Sequence, residues 1–210
     1  MSHIKHVNPH YQKGIQTSQK ELLDLTKAWI ILGLAFAIVM NGFKLDLAFL
    51  VAFIISLLTI GVGFLFHELA HKFMAQRYGC FAEFRSFDKM LILALIFSFF
   101  GFIFAAPGAV MIRGQLTRRQ NGTISAAGPG MNILVSLLFL PLAFSGVGVW
   151  HVIGRYGFII NAWLALFNMI PFAMFDGRKI LDWSKAVYAL MAVVALGLIA
   201  LQTLIRMSAI

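Results

Sequence analysis

His67, Glu68 and His71 lie in the stretch GFLFHELAHKF, which begins at Gly63. Residues four apart share one face of a helix, so the two imidazoles stand one turn apart on the same side. Imidazoles placed this way can bind one Zn²⁺ while the glutamate between them reaches water held at the metal. The plain structural alternative is a pair of interfacial histidines with Glu68 and Lys72 as an i,i+4 ion pair, worth about 0.2–0.5 kcal/mol. A catalytic zinc takes three protein ligands and keeps one position open, so this chemistry needs a third ligand.

The same helix does not supply it in metzincin fashion, which would need glycine at position 74 and histidine at 77; the chain has Met74 and Arg77. Glu83 and Asp88 follow too soon after Gly79 to return on an antiparallel helix, and Arg85 and Lys89 offer them solvated pairing. Asp46 sits at the far end of the apolar run that precedes the histidines. Asp176 remains, at the end of NMIPFAMFDG, where the alternative is an Asp-Gly turn closing a helix.

These groups must be positioned by membrane-embedded helices. The 210 residues are 60% hydrophobic and 12% charged, far from a soluble balance. Runs long enough to cross a bilayer, about 20 residues as helix, are expected at Ala28–Gly42, Leu47–Phe66, Thr123–Phe144, Gly157–Phe175 and Lys185–Ile205. The helix through the histidines should continue from Leu47 to Tyr78 and stop at Gly79. The chain is polar up to Lys27, with no leader of secretory type. His3, His6 and His10 fit a flexible polar tail better than a metal site. Cys80 is the single cysteine, which rules out an internal disulfide and a cysteine-based zinc site. The net charge of +9 reports loop sidedness rather than nucleic-acid binding.

Leu91–Ile112 is ambiguous: apolar enough to span, yet broken by Gly101, Pro107 and Gly108. With this stretch not crossing, 14 of the Lys and Arg residues share one side against Lys44, Arg155 and Arg206; with it crossing, the division is 10 against 7. The positive-inside bias favours the first arrangement and makes that side the cytosol. Asp176 then falls on the side of His67 and His71. A non-crossing segment at membrane depth must be shielded by protein or line a wet cavity. The stretch therefore reads as re-entrant, a β-hairpin around Phe97–Phe104 or a pair of half-helices.

H-E-x-x-H at His67–His71 together with N-x-x-P-x-x-x-x-D-G from Asn168 to Gly177 resembles the site-2 protease family of intramembrane zinc metalloproteases. GPGMN, Gly128 to Asn132, is similar to that family's glycine-proline-asparagine segment, and PGAVMI, Pro107 to Ile112, to the loop after the metal helix in archaeal members. The resemblance covers about Gly61 to Asp176. It implies an all-α polytopic membrane protein with about five transmembrane helices around a three-helix metal core, and a re-entrant β element between the first two core helices. Residues 1–27 would be a polar cytosolic segment and 28–210 one membrane-embedded protease domain. Two features depart from the family pattern: the 210 residues leave no room for a PDZ domain, which places the likeness with compact archaeal-type members, and only about one span follows Asp176.

On this resemblance His67, His71 and Asp176 are the ligands of one Zn²⁺ per chain and Glu68 is the catalytic acid/base. Asn168 either places or polarises the substrate carbonyl, or makes an interhelical hydrogen bond. The expected reaction is hydrolysis of peptide bonds within or near transmembrane segments, with the active-site mouth on the cytosolic side of the cell membrane. The expected partners are membrane lipid and single-span substrates, such as membrane-held regulators already shortened by another protease. A strand edge of the re-entrant segment at Phe97–Phe104 could hold the unwound substrate by β-addition. A transporter using the same cluster as an ion relay should show internal repeats, and none is visible.

Overall fold

The computed structural model describes residues 16–103, 106–146 and 148–207, with side chains through 202. His3, His6 and His10, most of the 1–27 segment, and Phe104 lie outside these residues. Helix α1, Gln19–Asn41, starts at Ser18, whose side chain accepts from the Glu21 N–H, and stops at Gly42, where φ is +68°. Its inward stripe of Leu25, Ala28, Leu32 and Ala35 repeats every three to four residues, the period that keeps one helical face buried.

Helix α2, Leu47–Ser56, begins where the Asp46 carboxylate accepts from the Phe49 N–H at 2.8 Å, so Asp46 is a helix cap far from the histidines. One π-helical turn, Leu57–Gly61, joins it to α3, Val62–Arg77. Such a turn releases carbonyls from the regular ladder. Leu57 O accepts from Trp29 Nε1 at 3.0 Å, and a Cβ on Gly61 would lie 2.3 Å from the Trp29 ring. Trp29 therefore docks α1 onto this turn. The helical run ends near Tyr78 and Gly79, φ +78°, as the glycine suggested.

The stretch read as a hairpin around Phe97–Phe104 is built differently. Strand β1, Phe81–Ser86, precedes it; helix α4, Asp88–Ser98, fills its first half; strand β2, Gly108–Arg113, ends it. The strands pair antiparallel from Phe81↔Arg113 to Ser86↔Gly108. The apolar excursion thus leaves and returns at the same two-stranded sheet, and the ladder uses residues before Leu91 that the alternation within 97–104 could not indicate. A Cβ on Gly108 would fall 2.4 Å from Arg85 O, so only glycine closes this end. Buried Cys80 lies beside the sheet at Gly114, and burial pushes its thiol pKa up, which suits a packing role.

Helix α5, Arg118–Ala143, opens with a Thr117–Gln120 capping box, five residues before the expected start. Helix α6, Gly148–Asn168, occupies the place expected for Gly157–Phe175 and ends seven residues early. Pro171 has no N–H and disfavours helix in the residue before it, so 169–175 leave the helix. Asp176 does not close a span; it opens α7, Asp176–Trp183, which leads to α8, Lys185–Met207. Gly177 is needed for this return, because a Cβ there would sit 2.2 Å from Met169 O.

Among the described residues four helices are long and apolar enough to cross a membrane: Gln19–Asn41, Leu47–Arg77, Arg118–Ala143 and Lys185–Gln202. The first turns of α6 carry His151 and Arg155, which keeps it out of that set. It packs nonetheless along α5 and α8 through Phe158, Ala162, Ala143 and Leu198.

Lys72 does not pair with Glu68. Its Nζ lies 2.6 Å from Glu21 Oε2 and 2.8 Å from Thr17 Oγ1, with Lys72 and Glu21 both buried. Glu21 Oε1 also accepts the Phe84 N–H at 2.9 Å. Removing one partner of such a buried pair strands a charge, whereas a pair with further hydrogen bonds is tolerated. This pair ties α1, α3 and β1 together and occupies the outer edge of β1, where Gln76 Nε2 also donates to Ala82 O.

Candidate metal centre

Successive turns of α3 present His67 and His71, and the close return at Gly177 brings Asp176 to them. His71 Nε2 lies 3.0 Å from His67 Nε2 and 3.0 Å from Asp176 Oδ2, and His67 Nε2 lies 3.5 Å from the same oxygen. All three residues are buried. They are the group of potential ligands, among the described residues, whose donor atoms all fall within 4.8 Å of one another.

The chemistry of these donors fits a cation. His71 Nδ1 is 2.8 Å from Ile124 O, which can only accept, so that nitrogen carries the proton. His67 Nδ1 is 2.5 Å from Asn132 Oδ1, also an acceptor. Both Nε2 atoms then turn lone pairs toward each other and toward a carboxylate, an arrangement that repels unless a cation lies between. Tetrahedral coordination with bonds of about 2.0–2.1 Å has ligand–ligand edges of roughly 3.3–3.4 Å, and the observed separations bracket that length.

The walls are equally specific. Gly128 of α5 faces both rings: a Cβ there would lie 2.3 Å from His71 Nε2 and 2.7 Å from His67 Cε1. Glu68 is buried beside His67, and Val110 of β2 lies near its carboxylate with its N–H turned to the edge away from β1. The register explains that direction. Phe84 spends its N–H outward on Glu21, so Phe84↔Val110 is a non-hydrogen-bonded pair and Val110 turns its own N–H to the opposite edge.

His67, His71 and Asp176 come together with Glu68 next to them; Asn168 does not join the group. Its Nδ2 donates to Leu164 O at 2.9 Å within α6. Glu83 pairs with Arg85 as expected, whereas Asp88 pairs with Lys27 at 2.5 Å rather than with Lys89. A Cβ on Gly130 would lie 3.9 Å from Met191 Cε, an ordinary contact. The contact of Asn132 with His67 and of Gly128 with both rings was signalled only by their shared segment GPGMN.

A protein of Methanocaldococcus jannaschii that carries the name putative zinc metalloprotease is 41% identical over 184 residues, covering 86% of this chain and 93% of the relative. The chain belongs to that metalloprotease family. No family model matches it. No solved structure matches it either. In this member two histidines and an aspartate that could hold a metal, with a glutamate beside them, sit among long apolar helices.

Proposed function

We propose that the chain is a site-2 type intramembrane zinc metalloprotease, which cuts single-span membrane proteins within or near their transmembrane segments. The observation that carries the reading is the convergence of His67 Nε2, His71 Nε2 and Asp176 Oδ2 beside Glu68, among helices apolar enough to span. In this reading one zinc per chain is held by those three atoms. When bound, it supplies a Lewis acid for a peptide carbonyl and lowers the pKa of water toward about 7.

Glu68 takes the proton of the attacking water and returns it to the leaving amine. Its buried carboxylate lies near Val110 of β2. Asn168 is assigned a lesser role at the substrate carbonyl, through the second N–H of the Nδ2 that already donates to Leu164 O. With α6 as a fifth crossing and 87–107 as a re-entrant excursion, the basic loops face the cytosol, and the site opens there.

A transmembrane substrate must be unwound before its peptide bonds can be attacked. The edge of β2 that turns away from β1 can take the unwound chain as an added strand, since the opposite edge of the sheet is already engaged by Glu21 and Gln76. Ile112 opposes Ala82 in a pair of the same parity as Phe84↔Val110, so its N–H points to that edge. Ile112→Pro removes this donor without breaking a β1–β2 bond. Cleavage is expected to slow about tenfold, the equivalent of one hydrogen bond of ~1.4 kcal/mol, with zinc content unchanged; undiminished cleavage would contradict strand addition.

The wider proposal is tested by mapping, with mass spectrometry, where a purified single-span substrate is cut. Scission inside or at the border of the apolar segment is expected. Cuts confined to soluble flanks would refute the intramembrane assignment.

A further inference from the structure

Asn161 of α6 lies one hydrogen bond behind Asn132, the group that faces His67, and it is fully buried. Its Nδ2 donates to Gly157 O at 2.8 Å, and its Oδ1 accepts from Asn132 Nδ2 at 3.0 Å. Asn132, also fully buried, then presents Oδ1 to His67 Nδ1. Gly63 on α3 makes room for the arrangement, because a Cβ there would fall 2.0 Å from Asn161 Oδ1.

The chain of bonds has one direction. An amide side chain can be turned either way by itself, since its two ends have similar shape. The Gly157 carbonyl can only accept, so it fixes Asn161 with nitrogen toward Gly157 and oxygen toward Asn132. That oxygen in turn requires the Asn132 nitrogen, which leaves the Asn132 oxygen for His67. His67 Nδ1 must then carry the proton, and Nε2 keeps its lone pair for the metal. Asn132 Nδ2 has one further acceptor, Gly63 O, at the longer distance of 3.4 Å.

We infer that Asn161 is a positioning residue for the metal centre: by orienting the Asn132 amide it holds His67 in its metal-binding tautomer and rotamer. The inference rests on the proposed zinc site and adds α6 to the helices that define it. Groups behind a metal-bound histidine commonly change metal affinity by 10–100-fold when removed.

The test measures zinc affinity of the full chain in detergent by competition with a chelator, alongside the thermal midpoint of the metal-free protein. Asn161→Leu and Asn161→Ala should bind zinc about 10–100-fold more weakly. Asn161→Asp, kept protonated by its burial, can donate its O–H to Gly157 O and receive Asn132 Nδ2 on its other oxygen, and should stay close to wild type. Ser136→Ala is the packing control. It loses a buried bond to Phe158 O, 2.9 Å, at the same α5–α6 interface, with no link to the metal, and should lower the midpoint without weakening zinc. Substitution with Co²⁺ gives a second readout, a visible band altered in Asn161→Leu and preserved in Asn161→Asp. Wild-type affinity in both apolar variants, or equal weakening by Ser136→Ala, would overturn the inference. Failure of the wild-type chain to bind zinc would instead overturn the metal centre itself.

Discussion

Glu68→Gln is expected to abolish measurable peptide hydrolysis while leaving one zinc bound per chain. The amide keeps the size and reach of the carboxylate, so the packing of α3 around it is preserved, but it cannot take a proton from water. Proton transfer by a positioned side chain contributes roughly 10²–10⁴-fold to rate, and the same residue acts in both proton transfers here. A loss at the upper end of that range, about 10⁴-fold, is expected. Zinc content measured on the same preparation separates this outcome from damage to the ligands, because Glu68 is not one of the three converging donors. A Glu68→Gln protein that cleaves at the wild-type rate would remove Glu68 from the chemistry.

Gly128→Ala is the second large effect, and its sign distinguishes site from fold. Alanine is favoured over glycine inside a helix by about 0.8–1 kcal/mol, so α5 taken alone should gain stability. The added methyl, however, would sit 2.3 Å from His71 Nε2 and 2.7 Å from His67 Cε1, well inside contact distance. Either the rings rotate off their Nδ1 partners, Ile124 O and Asn132 Oδ1, or α5 moves away from α3. Both spoil the convergence on Asp176. Zinc affinity should fall on the order of 100-fold and cleavage should disappear, with the helical content retained. Normal zinc binding by Gly128→Ala would show that the rings are not held as the structure has them.

The pair His67 and His71 was legible because a period of four residues survives any detail of packing. Asp176 was reachable by elimination, since the remaining acids are few, though its element was misread. The run up to Asp176 looked like one long span, whereas the helix stops at Asn168, ahead of Pro171. Charge led to the expectation that Leu91–Ile112 does not cross, and the pairing Ser86↔Gly108, which brings the two ends of the apolar excursion together, is compatible with it. The strand positions could not, because the ladder joins segments on either side of an apolar helix and alternation within that helix carries no information about them.

What stayed hidden depends on contacts across many residues of sequence. Glu21 with Lys72, Trp29 with the π-helical turn, and Asn161 with Asn132 each join residues that look ordinary alone. A lysine four residues after a glutamate suggested a local pair, and the burial that selects Glu21 instead is a property of the assembled helices. Gly128 illustrates the same limit. Its need for glycine arises from two rings on another helix rather than from its own backbone, which is ordinary α-helix.

A catalytic zinc makes cleavage depend on the metal. Purified wild-type chain in detergent is given a tagged single-span substrate, first as isolated, then after zinc is stripped with a chelator, and again after one equivalent of Zn²⁺ is restored. Cleavage that vanishes on stripping and returns with zinc is the predicted result. Cleavage that persists in metal-free protein would contradict the assignment of His67, His71 and Asp176 as the ligands of a catalytic zinc.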